Sequence, residues 1–120
     1  MKTVFFKLAK KVSFQSPSRC KVGAVVVNRN NAISVGYNNM SKTHPKAPGK
    51  YKFLHAEIKA LLGLSYDETR GSDIYVYRET LNGQIAKSKP CPVCHSALQE
   101  AGIKNIYYTS EEGFQKQRLF

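Results

Sequence analysis

Two short clusters in this chain bring together residue types that do chemistry: His55-Ala56-Glu57, and Pro90-Cys91-Pro92-Val93-Cys94. Each falls where the spacing predicts a helix to begin. Residues two apart inside a helix point to different faces, so His55 and Glu57 can serve one centre only if it lies off the helix end, ahead of the first turn. Cys91 and Cys94 are three apart and share a face at a helix start, where unpaired N–H groups and the helix dipole stabilise thiolates. One imidazole and two thiolates suit tetrahedral zinc and leave its fourth position open for water. Zinc lowers the pKa of such a water toward about 7, and the Glu57 carboxylate can take up its proton and pass it on. A closed structural zinc site would need a fourth ligand from Cys20, His44 or His95. His95 directly follows Cys94 on a helix and points elsewhere, and the other two fall in loops. A disulfide-exchange pair is a weaker reading of the C-x-x-C, because that motif normally follows a first strand and needs no His-Ala-Glu partner.

The elements that must position these clusters are legible from periodicity. Val4, Phe5, Leu8, Ala9 and Val12 form the apolar stripe of an amphipathic helix over residues 3–14, with lysines outside. Val22 to Asn28 and Ala32 to Asn38 are β-rich runs separated by Arg29, Asn30 and Asn31. They predict an antiparallel hairpin whose first strand, apolar on both faces, lies inside the sheet. Residues 39–52 are polar, basic and broken by Pro45, Pro48 and Gly49, which reads as a loop. From His55 the spacing turns helical through Ile58, Leu61 and Leu62 and stops at Gly63. A third strand over Asp73 to Arg78 precedes a turn at Asn82-Gly83. Pro92 suits the first position of the next helix, Val93, Ala97, Leu98 and Ala101 form its buried stripe, and Gly102 closes it. Residues 104–110 supply a fourth strand. Only 12 residues follow Tyr108, and a crossover to a parallel neighbour consumes about a dozen. The chain must therefore turn back at Glu111, Glu112 and Gly113 into a short antiparallel edge strand over residues 114–119.

A length of 120 residues predicts one domain, spanning 1–120. Lys and Arg number 19 against 8 Asp and Glu, a net charge of +11, which points to an anionic ligand. Phosphorylated metabolites, RNA, single-stranded DNA and acidic membranes all stay open on charge alone. No apolar run reaches the roughly 18 residues of a membrane helix, and Lys7, Lys10 and Lys11 interrupt the start, so no membrane partner and a cytoplasmic location are expected. Three cysteines, two of them in the C-x-x-C, argue against a disulfide framework.

The pairing of His-Ala-Glu with Pro-Cys-Pro-Val-Cys resembles the H-x-E … P-C-x-x-C signature of zinc-dependent cytidine and deoxycytidylate deaminases. SRCKVGAVVV, ISVGYN and GIKNIYYTS resemble the family's first, second and fourth strands, in that order. The resemblance implies an α/β fold of three layers: a mixed five-stranded sheet with helices on both faces and, here, an antiparallel last strand in a C-terminal hairpin. It implies that His55, Cys91 and Cys94 hold Zn2+, that a zinc-activated water attacks the amine-bearing carbon of a base, and that Glu57 shuttles protons to the ring nitrogen and the leaving ammonia. It further implies that Asn38 bonds the sugar, that the backbone at Ala24 and Ala56 walls the base, and that the Lys89 carbonyl accepts the amino group. The implied substrate is a cytosine nucleoside or nucleotide, and the implied assembly a homo-oligomer. The C-terminal hairpin is similar to the free-nucleoside branch, whereas ISVGYN and KPCPVC are similar to the deoxycytidylate branch, so the phosphate stays open. Lys42, His44, Lys46, Lys50 and Lys52, in the loop between the two ends of the pocket, suit a nucleotide phosphate or a nucleic-acid backbone. The rivals are a deaminase of RNA or single-stranded DNA, and a non-enzymatic zinc-stabilised nucleic-acid-binding module.

Overall fold

Alternating burial along β-rich runs builds a sheet in this molecule, and helices cover both of its faces. The structure, a computed structural model, describes residues 3–17, 21–38, 56–80, 83–88 and 92–119. In chain order the elements are α1 (Thr3–Ser13), β1 (Lys21–Asn28), β2 (Asn31–Tyr37), α2 (Ala56–Leu61), α3 (Tyr66–Thr69), β3 (Asp73–Glu79), α4 (Pro92–Glu100), β4 (Asn105–Ser110) and β5 (Gly113–Arg118). The sheet order is β2-β1-β3-β4-β5. β3 and β4 run parallel, joined by a crossover through α4, and every other neighbouring pair is antiparallel. This is the mixed five-stranded sheet with a C-terminal hairpin that the sequence predicts.

Period-two alternation sends each strand's residues to two separate cores. Ala24, Val26, Ile74, Val76 and Ile106 face α2 and α4, packing with Ala56, Ala60 and Leu98. Val25, Val27, Tyr75, Tyr77 and Tyr107 face α1, packing with Phe5, Phe6 and Ala9. β1, apolar on both faces, is flanked on both sides as expected. The tyrosines of β3 and β4 are core residues, with the Tyr75 and Tyr107 rings stacked at a centroid distance of 4.5 Å. β5 alternates between half-buried and exposed positions at the sheet edge.

Three details depart from the sequence reading, the first in α1, where Val4 of the expected stripe is 59% exposed and Phe6, which was not in it, is buried. Asn31 pairs with Asn28, so the β1–β2 connection is the two-residue turn Arg29-Asn30 and not the three residues expected. Both turn residues have positive φ, 51° and 65°, the mark of a type I′ hairpin turn, whose twist matches that of the strands. The short helix α3 has no apolar periodicity, and its visible signal is the capping box. Ser65 Oγ accepts the Glu68 N–H, and Glu68 returns a carboxylate to the Ser65 N–H at 3.0 Å.

Two glycines set the layer spacing. A Cβ on Gly23 of β1 would lie 2.1 Å from the Ala9 carbonyl oxygen, and one on Gly36 of β2 would lie 2.5 Å from the Ala60 nitrogen and 2.7 Å from the Ala56 oxygen. Each helix therefore rests on a strand backbone with no side chain between. Gly23→Ala and Gly36→Ala should each cost roughly 1–3 kcal/mol of stability through overpacking. Denaturant melts would show it, and a midpoint unchanged from wild type in either variant would contradict the close approach.

Candidate active site

Glu57 is the second residue of α2 and Cys94 the third of α4, so both sit in the first turn of a helix on the same face of the sheet. Neither is exposed: Glu57 is 6% accessible and Cys94 0%. Cys94 packs against Ile58, with Leu62 and Ala97 alongside. Its thiol donates a hydrogen bond to the Glu57 carboxylate. Burial pushes the Glu57 carboxyl above its ordinary pKa, while hydrogen bonds from its own backbone N–H and from the Cys94 thiol pull the other way. A soft, deprotonatable donor thus lies against a proton-accepting carboxylate between two helix starts. That donor set fits zinc with an adjacent proton carrier. The other two expected ligands, His55 and Cys91, lie outside the described residues; they directly precede Ala56 and Pro92, the first residues of α2 and α4. Lys89, Cys20, His44 and the basic segment from Lys42 to Lys52 also lie outside them. His95 turns its ring toward Gln117 of β5, Nε2 to Nε2 at 3.4 Å.

The residues expected to contact substrate fall in two places. Ala24 and Ala56 are fully buried in the core cluster beneath the first turn of α2. Asn38, 6% accessible, follows β2 and closes the end of the hairpin. Its Oδ1 accepts the Val22 N–H at 2.9 Å and its own N–H donates to the Val22 carbonyl. The Ser16 hydroxyl, from the chain leaving α1, donates to the Asn38 carbonyl at 2.7 Å. Asn38 is therefore held rigidly at the sheet end that carries the α2 start.

Ser88 and Thr109 were not singled out by sequence reasoning. β3 and β4 pair only as far as Val76 and Tyr108, and Ser88 enters the gap beyond. Its hydroxyl donates to the Val76 carbonyl at 2.9 Å and accepts the Thr109 N–H at 2.7 Å, while its own N–H donates to the Thr109 carbonyl. Thr109 Oγ1 lies 2.7 Å from the Ala86 carbonyl and 2.8 Å from Ser88 Oγ. The chain thus enters Lys89-Pro90-Cys91 from a pinned residue. The only sequence signal is a small hydroxyl residue a few positions before the C-x-x-C, which carries little information without the fold. Thr109→Val should cost about 2 kcal/mol by stripping buried partners and should also speed zinc release to a chelator, with Thr109→Ser restoring both. Unchanged stability and release rate would show that the network holds nothing in place.

The family description "Cytidine and deoxycytidylate deaminase zinc-binding region" matches residues 1–110, and the chain belongs to that deaminase family. Among its relatives, an uncharacterized deaminase of Aliivibrio fischeri is 31% identical over 111 residues, covering 86% of this chain and 68% of its own. Human deoxycytidylate deaminase is 28% identical over 120 residues, covering 84% of this chain; the chain spans 62% of that relative's length. The crystal structure of the dCMP deaminase of cyanophage S-TIM5 superposes with a TM-score of 0.67 at 29% identity, over 92% of this chain and 86% of that one. Cytidine deaminase of Burkholderia pseudomallei shares the fold, with a TM-score of 0.72 at 20% identity over 98% and 92% of the two chains.

Proposed function

We propose that the protein is a zinc-dependent hydrolytic deaminase that converts a cytosine nucleotide to its uracil form. The observation that carries this reading is the contact between the Glu57 carboxylate and the Cys94 thiol at two facing helix starts, inside the region that matches the family. Relatives named as deoxycytidylate deaminases, at 28–29% identity, support a nucleotide over a nucleoside. The net charge of +11 agrees with a phosphate on the substrate.

Hydrolytic deamination consumes one water and releases one ammonia. The water oxygen ends on the ring carbon that carried the amino group, that C–N bond breaks, and of the water's two protons one ends on the ring nitrogen and the other on the departing nitrogen, which leaves as ammonia. Zinc, held by His55, Cys91 and Cys94, would supply Lewis acidity to the water. Glu57 supplies the proton path: its carboxylate takes a proton from the water, gives it to the ring nitrogen, and then serves the leaving amine. Its buried setting suits this work, because a carboxyl raised above its ordinary pKa exchanges protons with neutral partners more evenly than a solvated one. Asn38, pinned through Val22 and Ser16, offers its amide to the sugar, and the backbone at Ala24, Ala56 and Lys89 frames the base.

Two measurements test the proposal. Glu57→Gln should abolish turnover while keeping one zinc per chain, and Cys94→Ala should lose the metal. A zinc-free Glu57→Gln protein would make Glu57 a ligand and the centre structural. Ammonia release assayed across cytidine, deoxycytidine, CMP, dCMP, short RNA and single-stranded DNA should show a nucleotide with the highest kcat/KM. Turnover confined to the oligomers would move the substrate to nucleic acid, and no turnover with any of them would favour a binding module.

A further inference from the structure

Glu79, the last residue of β3, stands where three parts of the chain converge, and it has no part in the proposed chemistry. Its backbone pairs with Lys21 of β1 on one side and with Ile85 on the other. Its side chain lies on the α1 face of the sheet, as does that of Tyr77 two residues earlier. There one carboxylate oxygen, Oε1, accepts the Tyr77 hydroxyl at 2.7 Å and lies 3.3 Å from the Lys10 ammonium of α1. The Glu79 side chain is 13% exposed and that of Lys10 47%. Burial, then the hydrogen bond to Glu79 and the charge of that carboxylate, hold the Tyr77 phenol above its ordinary pKa, so it stays protonated and donates. Two donors on one largely buried carboxylate oxygen, one of them charged, fix α1 against the end of β3.

From Lys10 an unbroken run of hydrogen bonds leads to Asn38. The Lys10 carbonyl accepts the Ser13 hydroxyl at 2.6 Å, the Ser13 carbonyl accepts the Ser16 N–H at 3.1 Å, and the Ser16 hydroxyl donates to the Asn38 carbonyl at 2.7 Å. Ser13 and Ser16 are both buried, so this path has little slack. Lys21, opposite Glu79 in the sheet, reaches the same place by a second route. Its ammonium donates to the Ser16 carbonyl, and the N–H of the next residue, Val22, donates to Asn38 Oδ1 at 2.9 Å. On the other side of Glu79, the segment around Ile85 is laid along the end of β3. Thr80 N–H donates to the Gln84 carbonyl at 2.8 Å and Ala86 N–H to the Arg78 carbonyl at 3.0 Å, two residues before the pinned Ser88. A residue on the face away from Glu57 and Cys94 is thus tied to Asn38 and to the chain that enters Lys89-Pro90-Cys91.

We propose that Glu79 is a positioning residue: by gripping Lys10 it fixes the chain leaving α1 and so aims Asn38 at the sugar of the substrate. This deepens the deaminase reading and rests on it for the role of Asn38. A contact used alike in the ground and transition states shows in KM and not in kcat. In the zinc-loaded protein, Glu79→Ala and Lys10→Met should each raise KM for the preferred cytosine nucleotide about three- to tenfold, with kcat within about twofold of wild type. Glu79→Gln, which keeps an acceptor for both donors, should stay near the wild-type KM. Tyr77→Phe removes the other donor to the same oxygen but leaves the grip on α1, so it should lower the denaturation midpoint and leave KM where it is. Amide hydrogen exchange reads the placement without turnover: the Asn38 N–H should exchange about tenfold faster in Glu79→Ala and Lys10→Met than in Tyr77→Phe. Lys10 is half exposed, so Lys10→Met should fold even if Glu79→Ala does not. A KM raised equally by Tyr77→Phe, or an Asn38 exchange rate unchanged in Lys10→Met, would leave Glu79 a merely structural role and overturn the proposal. A wild-type protein that turned over no cytosine nucleotide would sink the deaminase reading alone, and Asn38 exchange would still decide for or against Glu79.

Discussion

The contact between the Glu57 carboxylate and the Cys94 thiol is the constraint from which the architecture can be reasoned outward. A buried carboxylate is costly unless something donates to it, and its donors here are its own backbone N–H and a residue 37 positions later in the chain. For the two helix starts to meet, α2 and α4 must lie side by side on one face of the sheet and point the same way. α4 does so by serving as the right-length crossover between the parallel strands β3 and β4. α2 does so by lying on β2 at Gly36, with no side chain to lift it. The functional centre therefore depends on one glycine contact and one parallel pairing, both made by residues with no chemistry of their own.

The opposite face obeys the same economy. α1 lies on Gly23 as α2 lies on Gly36, and its last turn reaches the end of the sheet that holds Asn38. Through Ser16 and Val22 the hairpin end is joined to the chain leaving α1. The two cores thus meet at the rim where substrate would enter, although α1 contributes none of the proposed catalytic groups. A change that loosens α1 should be felt at Asn38 before it is felt at Glu57.

Much of this was legible in the sequence because the signals were of the kind that sequence expresses. The H-x-E and P-C-x-x-C clusters have fixed local spacing, the strands follow period two, and Pro92 and Gly102 mark the ends of α4. The antiparallel final strand was signalled by the turn residues Glu111, Glu112 and Gly113. What escaped was polar and non-local. α3 announces itself only by Ser65 and Glu68. The β1–β2 turn is tighter than expected because Arg29 and Asn30 both take positive φ, which asparagine advertises and arginine does not. Ser88 and Thr109 meet only because β3 and β4 part beyond Val76, a distance in sequence that no local pattern spans. Glu79 and Lys10 meet only once α1 lies on the sheet, and each looks in the sequence like ordinary surface charge.

The stacked pair Tyr75 and Tyr107 has an optical consequence. The chain has seven tyrosines and no tryptophan, so its near-ultraviolet signals come chiefly from tyrosine. The rings held most firmly lie on the α1 side of the sheet: Tyr75 against Tyr107, Phe5 and Phe6, and Tyr77 with its hydroxyl donating to Glu79 at 2.7 Å. A phenol hydrogen-bonded to a carboxylate emits weakly, so folding darkens Tyr77 and unfolding brightens it. Glu57 and Cys94 sit across the sheet from that cluster. The layers are therefore reported by different rings: Tyr77 answers for the α1 side, whereas Tyr37, with the Lys59 ammonium of α2 5.2 Å from its ring, and Tyr108, packed on the core beneath α2 and α4, answer for the side that holds Glu57 and Cys94.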